Sequence, residues 1–429
     1  MRTTIQRKSP TAGSVLIISM IFAGILFLCL ACYLEMAYAQ NLSVARSQAW
    51  NAALAVAEAG IEEGMAQLNY KPGNTNFNAS ATANWGKSGT TYGPVTRTLS
   101  LGTYSATIDV SGLTPVITST GQTTVPPMSG TISRTVRVTT SLSALFGVGM
   151  AAILSVDLKG NTIAIDSYDS GDPLHSTPTG MYDPATRKAG GDVASPGGLV
   201  QVGNANINGK IWTGPYAPTP TTGPGGFAGD LNWTGPGIEP GWWKNDFNQE
   251  FPDVPAPDTT GWLTPTSSAT NTYVLGNGNY ILPSSLTLKT GDNMLVAGNA
   301  TLYVPGNVNM SGTSYINITT GASLKIIVAG SSAGFTYVNT VGNAGTFAYY
   351  GLPSNTSLTW SGNAQYVGTI YAPEATFTLG GGGNNTMDYQ GACVVLSVTM
   401  NGKFNFHFDE NLKRKGPPGM FVVGSWKEL

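Results

Sequence analysis

The sequence predicts a mostly-β protein of the α+β class carried on one long N-terminal transmembrane and spike α-helix. Three observations predict it. Residues 13–34 form an uncharged apolar run. Small and apolar residues continue beyond it at helical spacing to Leu68. After residue 70 the chain becomes a series of short β-like segments broken by Gly, Asn, Thr and Ser. A span of about 20 apolar residues crosses a bilayer, and at about 1.5 Å per residue a helix over 14–69 reaches roughly 80 Å.

The 429 residues leave room for two or three domains, and only 10% are charged while 55 are Gly. A net charge of −2 argues against a nucleic-acid partner, which requires clustered Lys and Arg. Lys413, Arg414 and Lys415 are the one basic cluster of the body, read as a solvated loop. Cys29 and Cys32 fall on one face of the apolar helix as packing residues. Cys393, in GACVVLSV, reads as a buried strand residue. With three cysteines so placed the body has no disulfide framework, so its stability comes from stacking and burial.

Arg2, Arg7 and Lys8 precede the apolar run. Positive residues stay cytoplasmic, which predicts a single-pass protein of the inner (cytoplasmic) membrane, surrounded by membrane lipid. Its N-terminus is cytoplasmic and its body periplasmic or extracellular. A cleaved signal peptide is the competing reading, since Ala37-Tyr38-Ala39 before Gln40 meets the small-x-small rule. Helical periodicity, however, runs across that cut. Further on, Trp50, Leu54, Ala57, Ile61, Met65 and Leu68 form one stripe, expected to pack on the protein's own β-domain. Ala45, Ala49, Ala52, Ala53, Val56, Ala59 and Gly60 form a small-residue face expected to let other helices approach.

The runs GSVLIISMIFAGILFL and ALAVAEAGIEEGMAQL resemble the N-terminus of PilX-like minor pilins of type IV pili and related secretion systems. The resemblance implies a basic leader over 1–13 that prepilin peptidase cuts after Gly13, so that the mature chain begins at Ser14. It also implies a helix over 14–69 that enters a filament beside other pilin-like helices of a pilus or secretion machinery. Where the family usually has a large apolar residue and a glutamate, this chain has Ser14 and Ile18. That arrangement suits a tip subunit or an uncut anchor.

In 70–143, the segments TRTLSL, TYSATIDV, TPVITSTGQ and TISRTVRVTT alternate apolar and polar residues and predict a small pilin-like β-domain. From Ala144 to the end at 429, short strands recur with Gly-Asn pairs at Gly203, Gly298, Gly306, Gly342 and Gly362. Such pairs tolerate the left-handed conformation of a sharp corner. This texture predicts a parallel β-helix (β-solenoid), with a β-sandwich as the alternative. The segments IDSYDSGDP, GDVAS, GNANINGKIWTG, YVGTIYAPEATFTLGG, FHFDENL and VVGSWKEL resemble an uncharacterised β-helical domain found attached to PilX-like N-termini. That resemblance implies architecture and no particular chemistry.

Few residues suggest chemistry. Asp166, Asp169 and Asp172 are spaced to cap a turn or to offer oxygen ligands to a structural Ca²⁺, though they do not fit the D-x-D-x-D-G loop. His175 and His407 are the two histidines, and the alternation of FNFHFDE places His407 outward beside Asp409 as a surface pair. The sequence holds no G-x-S-x-G, H-E-x-x-H or P-loop, and GGGG at 380–383 reads as a turn. Trp242, Trp243, Phe247 and Phe251 could stack on sugar rings or fold onto the β-helix flank. The expectation is a non-enzymatic structural protein without catalytic residues or cofactor, displaying its β-helical head for adhesion or interaction. The alternative is a tethered surface β-helix that binds or cleaves glycans.

Overall fold

The computed structural model describes residues 12–69, 85–112, 114–126, 130–339, 342–362, 365–381, 389–416 and 418–429. The chain forms two compact units, Met1–Leu142 with Met420–Leu429, and Ser143–Gly419.

In the first unit, α1 (Ala12–Asn69) is one unbroken helix that runs straight through Gln40. From Val15 to Leu34 every side chain is exposed. The most apolar window has mean hydropathy 2.9 with no part of it buried, and the helix is long and apolar enough to cross a membrane. The far half packs on an antiparallel sheet made of β1 (Lys87–Ser88), β2 (Thr91–Leu99), β3 (Gly102–Asp109), β4 (Val116–Thr124) and β5 (Thr131–Ala144). A sixth strand, Pro418–Glu428, lies beyond β5.

That sixth strand corrects the expected boundary of the large domain at 144–429. The closing VVGSWKEL belongs with the first unit. The Arg134 guanidinium pairs with the Glu428 carboxylate. The Asn69 carboxamide brackets Phe421, donating to its carbonyl at 2.9 Å and accepting from its N–H at 2.7 Å.

Helix and sheet approach closely because both present small residues. A Cβ on Gly121 of β4 would strike the Ala53 carbonyl and the Ala57 backbone, and one on Gly60 would strike Ser119 and Tyr104. Around this seam Val56, Ala57, Ile61 and Leu68 are buried with Tyr104, Ala106, Ile108, Ile117, Val136 and Val138. Full burial of an aliphatic side chain contributes about 1.5–3 kcal/mol, so this seam, rather than helix propensity, holds the element in place. Glu63 adds a polar tie, 2.8 Å from Arg97 Nη2 and bonded to the Tyr104 hydroxyl. Trp50 departs from the expected stripe. It is 50% exposed, with the Arg134 guanidinium 4.7 Å above its ring.

In the second unit, every pairing between named strands is parallel. Three ladders run through it. One passes through Tyr280, Leu302, Ile326, Tyr349, Ile370 and Cys393. There the chain order breaks, because Cys393 pairs with Met150 of β6 (Met150–Leu158). Met150 in turn pairs with Val193 of β8 (Val193–Ser195). The last circuits thus stack beside the first, β6 and β7 (Asn161–Tyr168). Buried rings line the interior: Tyr366 stacks on Tyr389 at 4.8 Å, and Tyr389 on Phe406 at 4.5 Å.

Residues 245–272 connect Trp243–Lys244 to Tyr273–Leu275 along one flank. Phe247, Phe251 and Val254 pack with Tyr350, Tyr371 and Val394, and the Tyr371 hydroxyl donates to the Pro252 carbonyl at 2.8 Å. The aromatic loop therefore folds onto the flank. Of the Gly-Asn corners, Gly203 has positive φ (56°). Gly298 and Gly306 serve a different purpose, since a Cβ there would strike Asn277 and Ser285 of the preceding circuit. At those corners glycine provides closeness rather than handedness. Of the glycine run at 380–383, Gly380 and Gly381 end the strand Tyr366–Gly381 and the other two lie outside the described residues.

Candidate functional site

Alternation along three adjacent strands sets Gln390, His407 and Asp166 side by side in register. Their neighbours in sequence, among them Phe406 and Ile165, fill the core. The loop 169–192, which links β7 to β8, folds over this polar row. Tyr182 lies flat on the His407 ring (3.6 Å between centroids, 19°), and its hydroxyl donates to Asp166 Oδ2 at 2.7 Å. His407 Nδ1 is 2.5 Å from Asp166 Oδ1. The Tyr182 N–H donates to Gln390 Oε1 at 3.0 Å. His407 is only 2% exposed, which corrects the expected surface pair with Asp409. The sequence places it outward from the sheet but cannot show that a loop covers it.

A second tier of charges pins the same loop. Asp169 accepts from Arg414 at 2.6 Å and from the Gly171 N–H at 3.0 Å. Burial works to raise the Asp169 pKa, but the Arg414 guanidinium and the Gly171 N–H outweigh it and hold the carboxyl below its ordinary value. Glu410 pairs with Lys188 and accepts from the Ser167 hydroxyl. Asp409 accepts from the N–H groups of Ser170 (3.0 Å) and Asn411 (3.1 Å). Burial raises the Asp409 pKa above the ordinary carboxylate value. Arg414 sits in a short helix, Leu412–Lys415, with Lys413 over the Phe408 ring at 5.1 Å. The basic cluster expected to be a solvated loop is thus partly engaged.

The three spaced aspartates do not converge. Asp166 serves His407 and Tyr182, Asp169 serves Arg414, and Asp172 caps its own turn by accepting from the Leu174 N–H at 3.0 Å. Among the described residues no group of three His, Cys, Asp or Glu is placed to hold a metal ion. His175 Nδ1 faces the Thr186 carbonyl at 3.0 Å. Sequence reasoning missed Tyr182, Gln390, Lys188 and Glu410. The one available signal was charge complementarity between DSYDSGDP and ENLKRK.

Along α1, Gly13 and Ser14 lie in the first turn of the helix, while leader residues 1–11 lie outside the described residues. Ala49, Val56 and Gly60 of the small-residue face are buried on the protein's own sheet, and Ala45, Ala52 and Ala59 are half-buried. Within the unit, the sheet occupies much of the face expected to receive other helices.

Residues 251–415, less than half of the chain, match a domain of unknown function, DUF7305. No curated protein matches the chain. Among solved structures, the competence-associated pilin ComZ from Thermus thermophilus aligns over 88% of this chain and 97% of its own, at 11% identity and a TM-score of 0.28.

Proposed function

We propose that the chain is a non-enzymatic, membrane-anchored, pilin-like structural subunit, and that its second unit is a β-solenoid displayed outside the membrane. The observation that carries this reading is α1 itself. One half of a single helix is apolar and wholly exposed over 15–34. The other half is clamped to an antiparallel sheet through Gly60, Gly64 and Gly121. An exposed apolar helix of this length is stable only in lipid or beside other apolar helices. The half clamped to the sheet is fixed, so the exposed half is the part available to a membrane or a filament.

The His407–Asp166–Tyr182 cluster supports a structural reading of the second unit. The carboxylate is engaged by two donors, and the His407 ring is covered by Tyr182. All three residues are buried. The arrangement fastens a loop.

The test is the mature N-terminus of the protein recovered from its native membrane, read by mass spectrometry, together with cross-linking through Cys29 and Cys32. Cleavage between Gly13 and Ser14, with cross-links to other apolar helices, supports a filament subunit. An intact leader with no cross-linked helix reduces the reading to a simple anchor. A mature chain starting at Gln40 removes the apolar half of α1 and overturns it.

A further inference from the structure

One connection in the second unit is out of proportion to the rest. Residues 245–272 run from Trp243–Lys244 to Tyr273–Leu275 without a strand or helix of their own. A bare connection of that length inside a compact domain is uncommon and usually serves a function. Both of its flanks are held. Phe247, Phe251 and Val254 pack with Tyr350, Tyr371 and Val394. Trp262 meets Tyr303 edge-on at 6.5 Å, and Leu263 bridges to Tyr280. Between these holds the chain turns outward: Pro255, Ala256, Asp258, Thr260 and Gly261 are exposed. Asp258 Oδ1 accepts from the Thr260 N–H at 3.0 Å and from its hydroxyl at 2.7 Å, bonds that stay within the segment. An exposed tip of small and polar residues is the kind of place where endoproteases cut.

A cut within 255–261 would leave an N-terminal chain ending soon after Val254 and a C-terminal chain that begins before Trp262. These two chains are joined in both units. In the second unit, Tyr389–Met400 pairs with β6 from Cys393 beside Met150 to Met400 beside Leu158. Asn405–Asp409 likewise pairs with β7 from Asn405 beside Ala164 to Asp409 beside Tyr168. The bonds of His407 to Asp166, Gln390 to Tyr182, Arg414 to Asp169 and Glu410 to Lys188 all pass from one chain to the other. In the first unit, the strand Pro418–Glu428 comes from the C-terminal chain and lies beyond β5 of the N-terminal one. There Glu428 pairs with Arg134, and Phe421 is bracketed by Asn69. Separating the chains would therefore unmake two sheets and strand buried polar groups in each.

We propose that the connector is a cleavage site the fold is built to survive: hydrolysis of one peptide bond within 255–261 leaves two chains closed on each other at two separate places. Water adds across that bond, an endoprotease of the surroundings supplies the catalysis, and the products carry a new carboxylate and a new ammonium group. Although α1 lies wholly in the N-terminal chain, the C-terminal chain stays with it through the closing strand of the first unit and the shared ladders of the second. The cut body is kept rather than shed. This holds whether α1 stands in a membrane or in a filament.

The experiment inserts the recognition sequence of a site-specific endoprotease between Ala256 and Pro257 of the full-length protein, which is then cut to completion in detergent. A denaturing gel should show two chains. Without denaturant they should co-elute at the position of the uncut protein, also after hundredfold dilution, with the near-ultraviolet dichroism of the stacked rings unchanged. The urea concentration that separates the cut chains should fall on Asp166→Ala, fall on removal of 418–429, and fall further when both are made. If the insertion alters the dichroism of the uncut protein, the same sequence is placed between Ser267 and Ser268, which are also exposed. Chains that part on dilution without denaturant, ring dichroism lost on cutting, or a separation midpoint that neither change moves would overturn the proposal.

Discussion

His407 Nδ1 and Asp166 Oδ1 stand 2.5 Å apart although 241 positions separate them in the chain. The pair joins a strand from the end of the second unit to one near its beginning, and Tyr182 closes over both. Buried polar groups keep their value only while each has its partner. The cluster is therefore the point at which the last circuits, the first circuits and the covering loop depend on one another.

Asp166→Ala tests this dependence. It strips a partner from both His407 and Tyr182 inside a buried site, a change that typically costs about 3 kcal/mol or more. The variant should melt earlier than the parent, and limited proteolysis should cut first within 169–192. Cleavage elsewhere at the parent's rate, with an unchanged melting temperature, would show that the loop is held without Asp166, by its bonds to Arg414, Glu410, Asp409 and Gln390.

Much of this architecture was legible in the sequence. The helix ends near Leu68 because its stripe does, and the alternation of TYSATIDV and TISRTVRVTT is visible as strands β3 and β5. What could not be read is pairing across long separations. Nothing local in GACVVLSV says that Cys393 lies beside Met150. Nothing in VVGSWKEL says that it returns to the first unit. His407 was misjudged for a related reason, since a period of two gives the face of a sheet but not what lies over that face. The corner glycines show a subtler limit. Gly298 and Gly306 were read as left-handed corners, and they prove to be places where one circuit touches the next.

Asp409 predicts a particular pH dependence. Burial raises its pKa in the folded protein, so the native state holds the proton more tightly than the unfolded chain. The stability this contributes is fully present below the unfolded value near 4, and it is lost as pH rises through the folded value. Asp169 works in the opposite direction: its lowered pKa contributes stability above the unfolded value that is lost as pH falls. Asp409→Asn keeps an acceptor for the Ser170 and Asn411 N–H groups and removes the ionisation. Relative to the parent, the variant should therefore gain melting temperature steadily as pH is raised from about 4. A constant difference between the two across that range would mean that Asp409 is not held protonated.

Gly121→Val addresses the seam of the first unit. The added side chain would be driven into the Ala53 carbonyl and the Ala57 backbone, and backbone cannot rotate away as a side chain can. Overpacking in a core costs about 1–3 kcal/mol, and this position belongs at the upper end. Calorimetry should show an earlier transition for the first unit and an unmoved one for the second. If both transitions shift together, the two units unfold as one and the seam is not independent.

Removing 418–429 is the sharper test of where the C-terminal strand belongs. The strand covers the outer edge of β5 and supplies the carboxylate of Glu428 to Arg134, whose side chain is only 9% exposed. Without it, Arg134 loses its matched charge, Asn69 loses both of its bonds to Phe421, and β5 becomes an open edge. An uncovered strand of that length is a template for pairing with another chain. The truncated protein should therefore show a destabilised first unit and concentration-dependent association, while near-ultraviolet dichroism from the stacked Tyr366, Tyr389 and Phe406 rings of the second unit stays unchanged. Loss of the ring signal with the first unit intact would place the strand's contribution in the second unit and contradict the assignment made from its hydrogen bonds.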